Sequence, residues 1–124
     1  MADYDEVIVV DFDDTICRFN EDFSCKDLVP GAREYMGKLQ EAGYKLVISS
    51  ARNNVSYGGV GGTLHCLMTR FLWKSDIPFD KVDCGSEGKP VAYRYIDDKA
   101  VGCPLTPDGV VDWPKVYALI VGDS

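Results

Sequence analysis

The sequence predicts an α/β fold: a Rossmann-like, doubly wound and mostly parallel sheet with helices on both faces. Two observations lead to this prediction. Unbroken aliphatic runs, such as residues 7–10 and 46–48, are typical of strands that are covered on both faces. Segments whose apolar residues follow helical spacing separate these runs. The length of 124 residues suits one domain, over residues 1–124.

Strands and helices alternate along the chain, as βα units require. The predicted strands cover residues 7–10, 45–49, 81–83, 91–96 and, at the edge of the sheet, 109–111. The predicted helices cover residues 30–42, 63–74 and a final segment that starts near Pro114. Four glycines within residues 53–62 predict a loop before the second helix.

Charge and hydropathy restrict the partners of this chain. The formal net charge is -7, so a basic footprint for nucleic acid or anionic lipid is missing. No apolar run approaches the roughly 20 residues that are needed to span a bilayer. The first residues lack the basic segment and long apolar stretch of a signal peptide. We therefore expect a cytoplasmic protein with no membrane association.

Polar residues follow the strands at the edge where ligands bind in open parallel sheets. The first strand runs into Asp11 and Asp13, and the fourth runs into Asp97 and Asp98. The second strand is followed by Ser50 and Arg52, and the third by Lys89. Because the carboxyl ends of parallel strands lie at one edge, we expect all of these side chains to meet there.

Crowded carboxylates repel one another and are costly to desolvate, so such a cluster does not stabilise a fold by itself. Mg²⁺ would remove the repulsion, since this cation prefers oxygen ligands. Ser50 and Lys89 would then face an anion held against the metal, as phosphoryl transfer requires. Asp11 and Asp13 are two residues apart and point to the same side of an extended chain. One carboxylate can attack phosphorus while the other reaches the leaving oxygen.

These residues resemble the four motifs of the haloacid dehalogenase-like superfamily. The stretch Asp11-Phe12-Asp13-Asp14-Thr15, after four aliphatic residues, resembles the first motif, Asp-x-Asp-x-Thr. Ser50 is similar to the hydroxyl residue of the second motif, Lys89 to the lysine of the third, and Asp97-Asp98 to the acidic pair of the fourth. The four motifs occur in the expected order and extend over most of the chain.

The resemblance implies a role for each residue. Asp11 would form an aspartyl-phosphate, and Asp13 would protonate the leaving group and then activate water. Ser50 and Lys89 would bind phosphate oxygens. Asp11, the backbone carbonyl of Asp13, Asp97 and Asp98 would bind Mg²⁺. Two roles stay open: Asp98 could instead orient Lys89 or a water, and Arg52 could either bind phosphate or pair with a surface carboxylate.

Many members of the superfamily carry a cap domain over the site. Here residues 16–29 are too few for a folded domain and would form at most a small flap. A loop, a helix and a strand account for residues 50–89. The chain therefore resembles the small capless phosphatases of the superfamily. Its site would be open, or covered by a second copy of the chain in a homo-oligomer.

We predict hydrolysis of a small phosphorylated molecule, because a net charge of -7 would repel a long polyanion. Phosphotransfer to another acceptor and removal of 3′- or 5′-terminal phosphates from polynucleotides are alternatives within the superfamily. A phospho-receiver signalling domain is the non-enzymatic alternative. In receivers the phosphorylated aspartate ends a mid-chain strand, whereas Ser49-Ser50 ends that strand here.

Overall fold

A four-stranded parallel sheet forms the centre of the protein. The computed structural model describes residues 6–50, 61–83, 92 and 94–122. The strands are β1 (Val7–Asp11), β2 (Lys45–Ser49), β3 (Lys81–Val82) and β4 (Arg94–Ile96), in the spatial order β3-β2-β1-β4. All three strand pairs are parallel. Strands β2 and β3 lie in sequence order on one side of β1, and β4 lies on the other side of β1. This is a doubly wound order. The predicted α/β, Rossmann-like fold class is confirmed.

Within the described ranges, three helices connect or follow the strands: α1 (Ala32–Glu41), α2 (Gly61–Lys74) and α3 (Trp113–Tyr117). Helix α3 continues into one π-helical turn over Ala118–Gly122. Helix α1 starts two residues later than predicted, because Gly31 precedes it in a left-handed conformation with φ 86°. Helix α2 starts two residues earlier than predicted, so the end of the predicted glycine loop is helical. The rest of that loop, residues 53–60, lies outside the described residues.

One hydrophobic cluster joins the sheet to the helices. Alternate residues of the central strands enter it: Ile8 and Val10 from β1, and Leu46 and Ile48 from β2. The helices contribute buried residues that include Met36, Leu39, Met68, Leu72 and Trp113. Alternation places Val9 and Val47 on the opposite face, where both are also buried. The two central strands are therefore covered on both faces, as their unbroken aliphatic sequences predict.

The prediction of an edge strand over residues 109–111 is wrong. In the described part of the chain, Val111 forms only an isolated antiparallel bridge with Leu105 and does not join the sheet. A tight turn causes this, since Thr106 N–H donates to the Val110 carbonyl at 2.8 Å and Gly109 adopts φ 88°. The segment instead packs against the loop that follows β1.

Residues 16–29 form a small flap after β1. Its two ends run antiparallel, with Arg18 N–H donating to Asp27 and Val29 N–H donating to Ile16. Two aromatic rings at its tip, Phe19 and Phe23, meet edge to face at 5.5 Å. Within the described residues, the helices are too short or too polar to cross a membrane.

Candidate active site

Three carboxylates meet where β1 and β4 end. One oxygen each from Asp11, Asp97 and Asp98 lies within 4.8 Å of the other two. Strand register explains this arrangement, because Val10 pairs with Ile96 and the next residue of each strand is an aspartate. On the other side of β1, Asp11 pairs with Ser49 at the end of β2. The β1–β4 pairing therefore brings together carboxylates that are 86 residues apart in the sequence.

Phe12 and Thr15 fix the position of Asp11. Phe12 is fully buried and packs edge to face against Phe71 of α2, with ring centroids 5.9 Å apart. Its burial leaves the flanking residues Asp11 and Asp13 on the side away from the core. Thr15 is also fully buried, and its hydroxyl donates to Asp11 Oδ2 at 3.4 Å. Asp11 therefore lies at the sheet edge, where its buried neighbours Phe12 and Thr15 hold it in position.

The loop after β1 is closed by backbone hydrogen bonds. The Phe12 carbonyl accepts from Ile16 N–H at 2.8 Å and from Cys17 N–H at 3.1 Å. Asp14 adopts a left-handed conformation with φ 59°, which aspartate tolerates better than most residues. Its Oδ1 accepts from Phe19 N–H at 2.8 Å, so the Asp14 carboxylate anchors the flap.

The segment before α3 supports this loop from the other end of the chain. Trp113 Nε1–H donates to the Thr15 carbonyl at 2.7 Å, and Val111 N–H donates to the Asp14 carbonyl at 2.9 Å. Trp113 is fully buried. A Cβ on Gly31 would lie 3.1 Å from Trp113 Cβ, and the φ of 86° there also favours glycine. Gly31 therefore leaves the space that Trp113 needs to reach Thr15.

The β4 end of the cluster is a turn closed by Asp97. Its Oδ1 accepts from Lys99 N–H and its carbonyl accepts from Ala100 N–H, both at 3.0 Å. The side chain of Asp98 is only 9% exposed, and its Oδ2 lies 3.6 Å from Lys99 Nζ. Among the described residues, Asp98 Oδ1 is buried without a hydrogen-bond partner. A buried carboxylate oxygen in this state is costly unless a proton or a cation reaches it.

Burial and mutual repulsion hold protons on this cluster. Burial, followed by the charge of Asp97 and the hydrogen bond and charge of Asp98, raises the pKa of Asp11 to about 8. Burial also raises the pKa of Asp98, although the hydrogen bond with Asp11 opposes this. The two carboxylates are therefore coupled, and their raised pKa values favour the retention of a proton by the pair. A bound cation would replace that proton.

The residues present fit a hard cation. Mg²⁺ binds oxygen at about 2.0–2.1 Å, so two oxygens on one ion are separated by up to about 4.2 Å. The three carboxylate oxygens lie close to that spacing, and all are ligands that Mg²⁺ prefers. A cation there would also offset the cost of burying the Asp98 carboxylate, whose Oδ1 has no hydrogen-bond partner among the described residues. The donor set contains only oxygen, which disfavours soft metals.

The other predicted site residues have different positions. Asp13 is half-buried beside Cys17, and its carboxylate lies outside the group of three. The resemblance implies that Asp13 binds the metal through its backbone carbonyl, and this role stays a prediction. Ser50 is half-buried and directly follows Ser49, the register partner of Asp11. Arg52 and Lys89 lie outside the described residues, so their phosphate-binding roles stay predictions.

Sequence reasoning missed two supporting residues. Thr15 belongs to the first motif, but no role was predicted for it; a hydroxyl four residues after Asp11 was the available signal. Trp113 carries no local signal, because its partner Thr15 is 98 positions away in the sequence. Only the general rule that a buried indole N–H finds an acceptor could have drawn attention to it.

Known proteins resemble this chain in structure. A conserved protein from Bacteroides thetaiotaomicron matches with a TM-score of 0.72 and 25% identity, over 95% of this chain and 91% of that chain. An MCSG target from Vibrio cholerae matches with a TM-score of 0.50 and 25% identity, over 96% and 99% of the two chains. No family model matches the sequence, and no curated protein is similar to it. The α/β fold is therefore shared over nearly the whole chain.

Proposed function

We propose that this protein is a Mg²⁺-dependent phosphomonoester hydrolase of the haloacid dehalogenase-like type, with Asp11 as its nucleophile. The observation that carries the proposal is the carboxylate cluster of Asp11, Asp97 and Asp98, in which a buried oxygen of Asp98 has no described hydrogen-bond partner. The cluster lies beyond the carboxyl ends of adjacent parallel strands, where open α/β sheets bind ligands. The motif resemblance assigns the same residues to phosphoryl transfer.

Asp11, Asp97 and Asp98 would hold the cation, together with the backbone carbonyl of Asp13. When bound, Mg²⁺ supplies positive charge that neutralises the phosphoryl oxygens and the crowded carboxylates. Ser50, Lys89 and Arg52 would bind the remaining phosphate oxygens. Ca²⁺ should replace Mg²⁺ poorly, because it relaxes the octahedral geometry that Mg²⁺ demands.

The reaction proceeds in two displacements at phosphorus. An oxygen of Asp11 forms a bond to phosphorus while the bond to the leaving oxygen breaks, and Asp13 gives that oxygen a proton. Asp13 then takes a proton from water, whose oxygen attacks the aspartyl-phosphate. The bond between phosphorus and Asp11 breaks, inorganic phosphate leaves, and Asp11 returns to its starting state. Asp13 suits both proton transfers because Phe12 keeps it on the same side of the chain as Asp11.

Strand order argues against a phospho-receiver domain. Flavodoxin-like proteins, the group to which receivers belong, have the order 2-1-3-4-5, in which β1 lies between β2 and β3. Here β1 lies between β2 and β4. The aspartate with the strongly raised pKa also ends the first strand, and Ser49 ends the mid-chain strand. These features favour an enzyme whose nucleophile follows β1.

A small phosphorylated molecule is the proposed substrate, in preference to a polynucleotide end. The net charge of -7 disfavours long polyanions, whose binding depends on many phosphate contacts. A screen of sugar phosphates, mononucleotides and 3′- or 5′-phosphorylated oligonucleotides, at two salt concentrations, tests this choice. An oligonucleotide preference that falls steeply with salt would contradict it. Product analysis with added alcohols separates hydrolysis from phosphotransfer.

Asp11→Asn, compared with Asp76→Asn, tests the proposed nucleophile. Asp11→Asn should nearly abolish Mg²⁺-dependent turnover of p-nitrophenyl phosphate, because an amide is a poor nucleophile. Asp76 is exposed and left-handed with φ 53°, a conformation that asparagine also accepts. Asp76→Asn should therefore keep full activity. Normal turnover by folded Asp11→Asn would contradict the role of Asp11 as the nucleophile. Activity in excess chelator would contradict the dependence on Mg²⁺.

A further inference from the structure

A cleft lined with positive charge lies between the flap and helix α2. Its volume is about 260 Å³, and Cys25 and Lys26 of the flap form one wall. The other wall is the α2 stripe, with the residue that follows it: Leu67, Arg70, Phe71, Lys74 and Ser75. Drug-sized ligands occupy pockets of about 300–1,000 Å³, so this cleft suits a smaller molecule.

In the part of the chain that the structure describes, the cations of the cleft contact no acidic side chain. Described ion pairs join Arg18 to Asp108, Lys99 to Asp98 and Lys115 to Asp112. Within the described residues, Lys26, Arg70 and Lys74 form no ion pair. Lys26 contributes to the lowered pKa of Asp22, after hydrogen bonding from Ser24, but without an ion-pair contact.

The arrangement of these cations is unfavourable in the absence of an anion. Arg70 and Lys74 are four residues apart on α2, where like charges repel. Their position near the carboxyl end of the helix compensates for part of this repulsion. It does not account for Lys26, which the flap brings to the same cleft from 44 residues earlier in the sequence. Arg33 adds a fourth positive charge at the rim, where its Nη1 donates to the Ser75 carbonyl at 3.3 Å.

The cleft is separate from the carboxylate cluster. Phe71 forms part of its wall and packs against Phe12, whose neighbours Asp11 and Asp13 face away from the core. A ligand in the cleft therefore lies across the Phe12–Phe71 pair from Asp11. It would not be a ligand of a cation held by Asp11, Asp97 and Asp98.

We propose that this cleft is a binding site for a small phosphate-class anion of at least two negative charges, held by Lys26, Arg70 and Lys74. The Arg70 guanidinium can donate two parallel hydrogen bonds to one phosphoryl group, and the two lysines supply point charges around it. The Ser75 hydroxyl is a further donor at the rim. The site does not depend on the proposed phosphatase activity.

Pyrophosphate binding to the full chain tests this site. ¹H–¹⁵N NMR spectra are recorded in EDTA at constant ionic strength, so that no metal links the anion to the carboxylate cluster. We expect saturable shifts at Lys26, the Arg70 side chain and residues 71–75. Arg70→Gln with Lys74→Gln should weaken binding by about tenfold or more, since each removes a charge-assisted hydrogen bond. Lys45→Gln with Lys81→Gln, which removes the same charge from exposed residues outside the cleft, should change affinity less than about twofold.

Equal weakening in the two double variants, or shifts that grow linearly without saturation, would show general charge screening and overturn the proposal. Shifts centred on Asp11 and Asp97 would move the anion to the carboxylate cluster and overturn it as well. A phosphorylated single-stranded oligonucleotide serves as a second probe. If it binds far more tightly than pyrophosphate, with a steep salt dependence, the ligand is a nucleic acid and the proposal of a small anion is wrong.

Discussion

The carboxylate cluster is built from two strand ends that differ in their support. Asp11, at the end of β1, is followed by a loop whose Phe12 and Thr15 are fully buried and whose carbonyls accept hydrogen bonds from Val111 and Trp113. The end of β4 is a solvent-facing turn, in which Lys99 is 86% exposed and Val101 is fully exposed. The proposed nucleophile, Asp11, is thus held by the core, whereas Asp97 is held by hydrogen bonds within its own turn.

This difference in support suggests that the two strand ends have different roles. A nucleophile needs a fixed direction of attack, because a small misplacement at the reacting atom lowers the rate strongly. A metal ligand can be drawn into place by the ion, since binding itself supplies free energy. Substitutions near β1 should therefore affect chemistry or stability, and substitutions near β4 should affect metal affinity. Four predictions test this contrast.

Asp13→Asn should slow the proposed reaction most on substrates with poor leaving groups. General acid catalysis contributes about 10²–10⁴-fold, and an activated aryl phosphate needs little protonation. The loss in kcat should therefore be large for alkyl phosphates and small for p-nitrophenyl phosphate. Asp97→Asn, at the β4 end, should lower the activity on both substrates by one common factor that high Mg²⁺ partly restores. Equal losses on both substrates for Asp13→Asn, with chemistry rate-limiting, would exclude Asp13 as the general acid.

Trp113→Phe should destabilise the fold by about 1–3 kcal/mol, because the buried Thr15 carbonyl loses its donor. Trp73 provides the matched control: it is 79% exposed, so Trp73→Phe should change the free energy of unfolding by less than about 0.5 kcal/mol. Urea unfolding of both variants measures the difference. An equal and small effect for both substitutions would mean that Trp113 does not support the β1 loop.

The stabilisation by Mg²⁺ should grow between about pH 5 and pH 8. The folded-state pKa of Asp11 is raised from 3.8 to about 8, so without metal the folded protein keeps a proton that the unfolded chain loses. The stability of the metal-free protein therefore falls as pH rises through this window, and Mg²⁺ replaces the proton. Tm values in EDTA and in Mg²⁺, at several pH values, measure the gap. Asp11→Asn should strongly reduce the pH dependence of this difference in Tm; an unchanged pH dependence in that variant would show that another group causes it.

Lys99→Gln should change stability and Mg²⁺ affinity the least among these substitutions. Lys99 is exposed, and exposed ion pairs contribute about 0–1 kcal/mol, so the free energy of unfolding should hardly change. Removing a positive charge 3.6 Å from Asp98 Oδ2 should nevertheless tighten Mg²⁺ binding slightly. This gain should shrink as salt is added, because salt screens exposed charges. Weaker Mg²⁺ binding by Lys99→Gln would indicate that Lys99 organises the turn.

The sequence predicts the strand ends well, because each strand and the residues that follow it form one short continuous stretch of sequence. Aliphatic runs locate β1 and β2, and the aspartates that follow β1 and β4 meet because parallel strands share one carboxyl edge. Other features depend on contacts between distant residues. No periodicity or motif in the sequence indicates the hydrogen bond from Trp113 to Thr15. The same is true of the cleft that Lys26 and Arg70 line together. The false edge strand over residues 109–111 shows that a short apolar stretch cannot distinguish sheet pairing from packing against a loop.

Trapping of the aspartyl-phosphate would show whether Asp11 is the nucleophile. The protein is mixed with p-nitrophenyl phosphate and Mg²⁺, quenched in acid and reduced with borohydride, which converts an acyl phosphate on aspartate into homoserine. Peptide mass spectrometry then locates the modified residue. Homoserine is expected at position 11, dependent on Mg²⁺ and absent from Asp11→Asn. Full turnover with no modification at Asp11, or modification of Asp97 or Asp98 instead, would contradict it.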